Sequence, residues 1–263
     1  MKNISLILTF KPEQSCKFFR SSVIKWIFVI ILLNYGHLYA QINKPVIYLI
    51  PGQGADSRQF KNLSIDNKFE IKHIEYFTPE KGSNMTDYAK ALALQIDTTR
   101  RFILVGVSLG GMLATEMGDF LKPQKIILIS SAKSRNEFPG RYTFQRVIPL
   151  YKWIPAGLMK SGAKFLQPIV EPDRKYDAKT FKSMLNDKDP LFLKRTVKMI
   201  MEWDRTNYRS DIIQIHGDND HTLPGKNIKY DYLIENGSHM MVLTKADEIS
   251  ELINDLLSEI NQQ

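Results

Sequence analysis

The sequence is poor in cysteine, with only Cys16 among 263 residues. Cys16 precedes an apolar run, so it cannot be the acylated cysteine of a lipoprotein, which would follow such a run. If the chain is cleaved after Ala40, the mature protein contains no cysteine. This excludes disulfides, thiolate metal sites and a cysteine nucleophile. A chain of this length can instead be held together by its apolar core.

Motifs that indicate a metal or a nucleotide are also missing. The run Asp218-Asn219-Asp220 resembles the start of a calcium loop, but no glycine stands at the sixth position and no glutamate closes the loop. Gly52 and Gly54 lack the third glycine and the later acidic residue of a dinucleotide-binding turn. The sequence has no P-loop and no H-E-x-x-H motif. We therefore expect no metal and no cofactor.

Residues 1–40 differ in composition from the rest of the chain. An apolar run at 26–33 follows several basic residues, and Ala40 comes shortly after it. A basic flank, a short apolar stretch and a final small residue predict a secretory signal peptide. The run is shorter than the roughly 20 apolar residues that span a bilayer, and an uncleaved N-terminal anchor is the alternative. We expect an exported protein, periplasmic or secreted, or one held at the membrane by this segment.

The net charge of +8 is unevenly distributed along the chain. About half of the excess lies in residues 1–40, so the remaining chain gives little support for nucleic-acid binding. Residues 133–209, called here the cap segment, contain seventeen basic and eight acidic residues. No sequence feature indicates the oligomeric state.

From residue 41 to 263, strand-like and helix-like segments alternate. Apolar runs at 46–50, 102–105 and 126–129 are typical of strands that are buried on both faces. Apolar residues at helical spacing come after several of these runs. Thr244 and Asp247 predict a capping box at the start of the last helix. The fold class is therefore α/β, a mostly parallel sheet with helices on both faces. The cap segment interrupts the alternation and predicts several short helices inserted between two strands.

The sequence Gly106-Val107-Ser108-Leu109-Gly110 follows a predicted strand and precedes a predicted helix. In this context G-x-S-x-G places a serine on a sharp turn with its hydroxyl presented above the sheet. The glycines allow the strand and the helix to pack closely around the turn. Ser108 is therefore the candidate nucleophile, and the N–H of Leu109 is a candidate oxyanion donor.

A serine nucleophile needs a base and an orienting acid, which follow this turn in the order acid, then histidine. Asp218 and Asp220 come after the predicted strand at 212–215, and His239 precedes the last predicted helix. Other histidines of the chain, His73, His216 and His221, fit the order or the spacing less well. His239 is the candidate base, and either aspartate fits the order of the acid.

With these motifs in this order, residues 44–262 resemble the α/β-hydrolase superfamily. The resemblance implies that Asp220 is the acid, since it lies three residues after the glycine of His216-Gly217 and is followed by Pro224. It also implies that Gln53 supplies a second oxyanion N–H. Where many members of this superfamily have His-Gly, this chain has Pro51-Gly52. The donor would be a backbone group, so this difference need not matter.

These features predict a serine hydrolase that cleaves carboxylic esters or thioesters of small or medium acyl substrates through an acyl-enzyme. The apolar, methionine-rich cap segment predicts an apolar substrate pocket. An acyltransferase on the same fold and a non-catalytic ligand-binding homologue are the alternatives. The expected partner is a small-molecule acyl ester, with no nucleic acid, and with membrane contact only through an uncleaved N-terminal segment.

Overall fold

The computed structural model describes residues 44–170 and 172–258, with the backbone only for 166, 168–170, 172 and 174. The predicted signal peptide lies outside the described residues. Within them, parallel strands form one sheet in the order β2-β1-β3-β4-β5-β6. The strands are Val46–Ile50 (β1), Glu70–His73 (β2), Phe102–Val107 (β3), Lys125–Ile129 (β4), Ile212–Gly217 (β5) and Tyr232–Ile234 (β6).

Helices connect these strands and cover both faces of the sheet. They are Met85–Ala93 (α1), Leu109–Met117 (α2), Gly140–Val147 (α3), Ala156–Val170 (α4), Ala178–Asp187 (α5), Pro190–Glu202 (α6), Met241–Thr244 (α7) and Ala246–Ser258 (α8). Among the described residues, none of the helices combines the length and the apolar character that crossing a membrane requires.

The central strands are buried because the sheet is covered on two sides. Every residue of β1 and β3 is buried, as a parallel sheet between two helical layers requires. Alternate side chains enter two different cores. Tyr48 and Leu104 pack with α1 and α2, whereas Ile47 and Val105 pack with α8. The predicted α/β class, with a parallel sheet and helices on both faces, is confirmed.

Helices α3 to α6 lie between β4 and β5, within the cap segment. The predicted capping box at Thr244 and Asp247 is wrong. Thr244 is the last residue of the one-turn helix α7, while α8 begins at Ala246. The Thr244 hydroxyl donates instead to Asp173 Oδ2. A residue distant in sequence therefore binds the hydroxyl that was predicted to cap the last helix.

Candidate active site

Ser108 lies at the sharp turn between β3 and α2. Its backbone has φ 52° and ψ −117°, a left-handed conformation that is strained for a residue with a side chain. The flanking glycines are needed for close packing. A Cβ on Gly106 would lie 2.4 Å from Gly110 O, and one on Gly110 would lie 2.1 Å from Ile50 O. The start of α2 therefore lies against the end of β1, and the turn that carries Ser108 can pack this closely only because its neighbours are glycines.

A chain of hydrogen bonds joins three of the predicted site residues. Ser108 Oγ lies 2.8 Å from His239 Nε2, and His239 Nδ1 lies 2.8 Å from Asp220 Oδ2. When Nδ1–H donates to the carboxylate, Nε2 is the atom that accepts the Ser108 hydroxyl proton. Ser108, His239 and Asp220 thus have the geometry of a nucleophile, a base and an orienting acid.

Asp220 is buried, and its two oxygens have different partners. Oδ1 accepts hydrogen bonds from the N–H groups of Thr222 and Leu223, each at 2.8 Å, and Oδ2 contacts His239. Burial acts to raise the pKa of Asp220, but the two neighbouring histidines and the Leu223 N–H together outweigh burial, so the pKa lies below its ordinary value. Asp218 is exposed at the same strand end. Asp220 therefore stays ionised beside His239.

The other histidines of the described chain have different partners. His216 Nε2 lies 2.8 Å from Leu223 O, where it donates to the carbonyl, and 3.7 Å from Asp220 Oδ2. Burial lowers the pKa of His216. His221 Nε2 lies 3.1 Å from Asn219 Oδ1, and His73 stacks near Phe60. In the described part of the chain, no three His, Cys, Asp or Glu side chains are grouped so as to hold a metal ion.

The loop after β1 lies directly beside Ser108. A Cβ on Gly52 would lie 3.4 Å from Ser108 Cβ, and the Gly52 N–H donates to Gln59 Oε1 at 2.8 Å. Gln53 lines the same cavity as Ser108, and its side chain donates to Thr196 Oγ1 at 2.8 Å. The side chain of Gln53 is thereby tied to α6. Its backbone N–H is the group that the sequence predicted as an oxyanion donor.

Leu109 is the first residue of α2, directly after Ser108. The N–H groups in the first turn of a helix have no partner within the helix and carry the positive end of its dipole. The start of α2 is therefore a favourable place for negative charge to develop beside Ser108.

A cavity of about 280 Å³ opens onto Ser108 and His239. Most of its lining is apolar, and much of it comes from the cap segment: Tyr142, Met159, Ala163, Phe181, Met184, Leu185, Leu193, Val197 and Ile200. Sites for small molecules are typically concave and mostly apolar, with few polar groups. This cavity can therefore hold an apolar group next to the Ser108 hydroxyl.

Several solved structures of other proteins have the same overall architecture as this chain. A thermophilic esterase from Thermogutta terrifontis matches with a TM-score of 0.65 at 14% identity, covering 82% of this chain and 90% of that one. The enol-lactonase from Burkholderia xenovorans LB400 matches with a TM-score of 0.62 at 14% identity, covering 82% and 92%. The chain has the α/β-hydrolase fold.

A further structure with this α/β-hydrolase fold is MenH from S. aureus, at a TM-score of 0.60 and 14% identity, covering 82% of this chain and 94% of that one. No protein-family model and no curated protein matches the sequence.

Two residues that hold the candidate site in place were not predicted from the sequence. Ser131 Oγ donates to Ser108 O at 2.7 Å, which holds the carbonyl of the strained turn. Gln59 is fully buried and joins the two loops beside the site, since Nε2 lies 3.1 Å from Met240 Sδ while Oε1 binds Gly52 N–H. Ser131 comes shortly after the end of a strand, and this position in the sequence could have indicated that it lies at the site. Gln59 has no such signal, because its partners are distant in sequence.

Proposed function

We propose that the protein is a serine hydrolase that cleaves carboxylic esters or thioesters of small or medium acyl groups. The observation that supports this most directly is the hydrogen-bond chain from Ser108 through His239 to Asp220, which opens onto an apolar cavity. The esterase and the lactonase of the same fold support the reaction class only by analogy, since fold alone does not determine activity.

In the proposed reaction, Ser108 Oγ attacks the substrate carbonyl carbon while His239 Nε2 takes the hydroxyl proton. The tetrahedral intermediate collapses as His239 gives that proton to the leaving alcohol or thiol, which leaves an acyl-Ser108 ester. Water then attacks the acyl carbon with His239 as base, and the acid product leaves as Ser108 regains its proton. Asp220 stays ionised and stabilises the protonated imidazole.

Negative charge on the carbonyl oxygen needs donors that are already in place. We assign this role to the backbone N–H groups of Leu109 and Gln53. Leu109 starts α2, where the helix dipole favours negative charge, and Gln53 lies in the loop that contacts Ser108. The hydrogen bond from the Gln53 side chain to Thr196 fixes this loop against the cap segment.

The acyl group is proposed to occupy the cavity beneath α4. The wild-type protein should hydrolyse p-nitrophenyl esters of short and medium acids, and Ser108→Ala should abolish this activity. Ala163→Leu fills part of the cavity, because Ala163 is one of its lining residues. We expect kcat/KM for the hexanoyl ester to fall roughly 10-fold or more relative to the acetyl ester, since the longer chain needs the lost space.

The matched control for this experiment is Gly162→Ala, one position earlier on α4, where an added methyl meets nothing within 4 Å. This variant should keep the wild-type ratio of hexanoyl to acetyl hydrolysis. An unchanged ratio in Ala163→Leu would place the acyl group elsewhere, and hydrolysis that persists in Ser108→Ala would refute the proposed nucleophile.

A further inference from the structure

The cap segment exposes an unusual number of large apolar side chains. We define the outer cap face by five of them, with these exposed fractions: Phe144 54%, Val147 76%, Trp153 80%, Leu158 62% and Phe165 78%. All lie within 22 consecutive residues, on α3, on α4 and in the connection between them. Single exposed apolar residues are common, whereas large exposed apolar patches usually mark an interaction surface.

The spacing of these residues shows that the helices display an apolar stripe outward. Phe144 and Val147 are three residues apart on α3, and Leu158 and Phe165 are seven apart on α4, which is two turns of a helix. The opposite side of α4 is used differently, since Met159 and Ala163 line the cavity at Ser108. Helix α4 is therefore apolar towards the cavity and also towards solvent.

The segment that carries the outer cap face contains charged side chains of one sign only. Residues 139–170 contain five basic residues and no acidic residue. Arg146 and Lys164 are exposed beside the apolar stripe, on α3 and α4 respectively. Lys152 pairs with Glu202 at 3.0 Å, but Arg141 and Lys160 are bound by backbone carbonyls, which leave their charge in place. Apolar and aromatic side chains interleaved with basic ones are the composition of segments that lie in a lipid interface.

We propose that the outer cap face docks on an anionic lipid surface, with Trp153 and Phe165 inserted among the headgroups. The charge favours this occupant over a second copy of the chain, because two identical basic faces would repel each other. An anionic leaflet attracts each Lys or Arg near its surface, while exposed aromatic side chains suit the headgroup region. Docking would place the roof of the Ser108 cavity at the membrane, and it does not depend on the proposed hydrolase activity.

The test uses the full chain with Trp26→Phe, which removes the tryptophan of residues 1–40 and leaves exposed Trp153 and buried Trp203. Fluorescence is recorded with vesicles of brominated phosphatidylcholine, alone or mixed with phosphatidylglycerol. We expect quenching with the anionic vesicles, and its loss when Trp153→Phe is added. Trp153 fluorescence that anionic vesicles leave unchanged would overturn the proposal, whether or not the chain binds through its N-terminal segment.

Two sets of variants, made in the chain with Trp26→Phe, test separately what the basic and the apolar side chains contribute to vesicle binding. Arg146→Gln with Lys164→Gln should weaken vesicle binding about 5-fold per charge, and added salt should reduce the difference. Phe165→Ser should reduce both binding and Trp153 quenching. Leu94→Ser is the control, since Leu94 is 88% exposed but lies outside the cap segment, and it should bind as the parent does.

Circular dichroism would verify that each variant is folded. Trp153 quenching by the anionic vesicles that is the same in the parent, in the charge variant and in Phe165→Ser would contradict docking through this face. The proposal would also fail if sedimentation showed a dimer of the chain that Phe165→Ser dissociates, because a second copy would then cover the face.

Discussion

Asp218 and Asp220 are two positions apart but have opposite environments. Asp218 is exposed, whereas Asp220 is buried and bonded to His239 Nδ1 at 2.8 Å. We predict that Asp220→Asn lowers kcat for ester hydrolysis by roughly 10³- to 10⁴-fold, because an amide neither fixes the tautomer of His239 nor stabilises its charged form. Asp218→Asn, the matched control, should stay near the wild-type rate. Similar losses in both variants would contradict the assignment of the acid.

The lowered pKa of Asp220 also makes a prediction for stability. Burial acts against ionisation of this carboxyl, but the two neighbouring histidines and the Leu223 N–H together more than offset burial. The pKa in the folded chain therefore lies below that in the unfolded chain, about 3.9. The ionised carboxyl therefore stabilises the folded state above about pH 3.9, and this contribution is lost as the pH falls through the lower folded value.

Urea unfolding of wild type and Asp220→Asn at a series of pH values measures this contribution. The wild type should be the more stable near neutral pH, and the difference in free energy of unfolding should shrink as the pH is lowered below about 4. A difference that grew with acidification would mean that the pKa of Asp220 is raised in the folded chain.

The sequence predicted which residues would meet at the site. It predicted only some of the contacts that hold them in position. Ser108, His239 and Asp220 each follow a strand of a parallel sheet, so their proximity could be expected from the fold class. The choice between Asp218 and Asp220 needed the family resemblance, because both carboxyls fit the order of motifs. Gln59 could not be predicted, since its partners Gly52 and Met240 meet it only in the folded chain.

At the scale of elements, the junction of β3 and α2 depends on two glycines. A Cβ on Gly110 would lie 2.1 Å from Ile50 O, which is backbone of β1 and cannot move aside easily. We predict that Gly110→Ala lowers the free energy of unfolding by about 3 kcal/mol. Gly162→Ala, in the open middle of α4, should instead raise it by about 0.5–1 kcal/mol, because alanine is the better helix former.

Urea denaturation of the two variants beside wild type would measure these changes. Equal effects of the two substitutions would show that the close approach of α2 to β1 does not limit the packing there.

Elements with strong local patterns were predictable, and those that depend on distant contacts were not. The fully apolar runs of β1 and β3 predicted buried strands, and both strands are buried. The cap at Thr244 was predicted wrongly because its hydroxyl binds Asp173, which also accepts a hydrogen bond from Ser238 Oγ at 2.6 Å. Local spacing contains no information about such a partner from the cap segment.

At the scale of the whole molecule, the sheet carries the candidate catalytic residues and the cap segment lines the cavity beside them. Ser108 and His239 follow β3 and β6, while much of the cavity lining comes from α4, α5 and α6. The composition of the cap segment predicted an apolar pocket in general terms. Its volume and its lining residues could not be predicted, because they depend on how these helices pack over the sheet.

The central claim is that Ser108 is an activated nucleophile with His239 as its base. Labelling of the intact protein with a fluorophosphonate probe tests it without knowledge of the substrate. We predict that the wild type and Ser161→Ala are labelled, since Ser161 is exposed on α4 with its hydroxyl bonded to Gly157 O. Ser108→Ala and His239→Ala should lose the label. Folded wild-type protein that takes up no label, or a label that remains in Ser108→Ala, would contradict the claim.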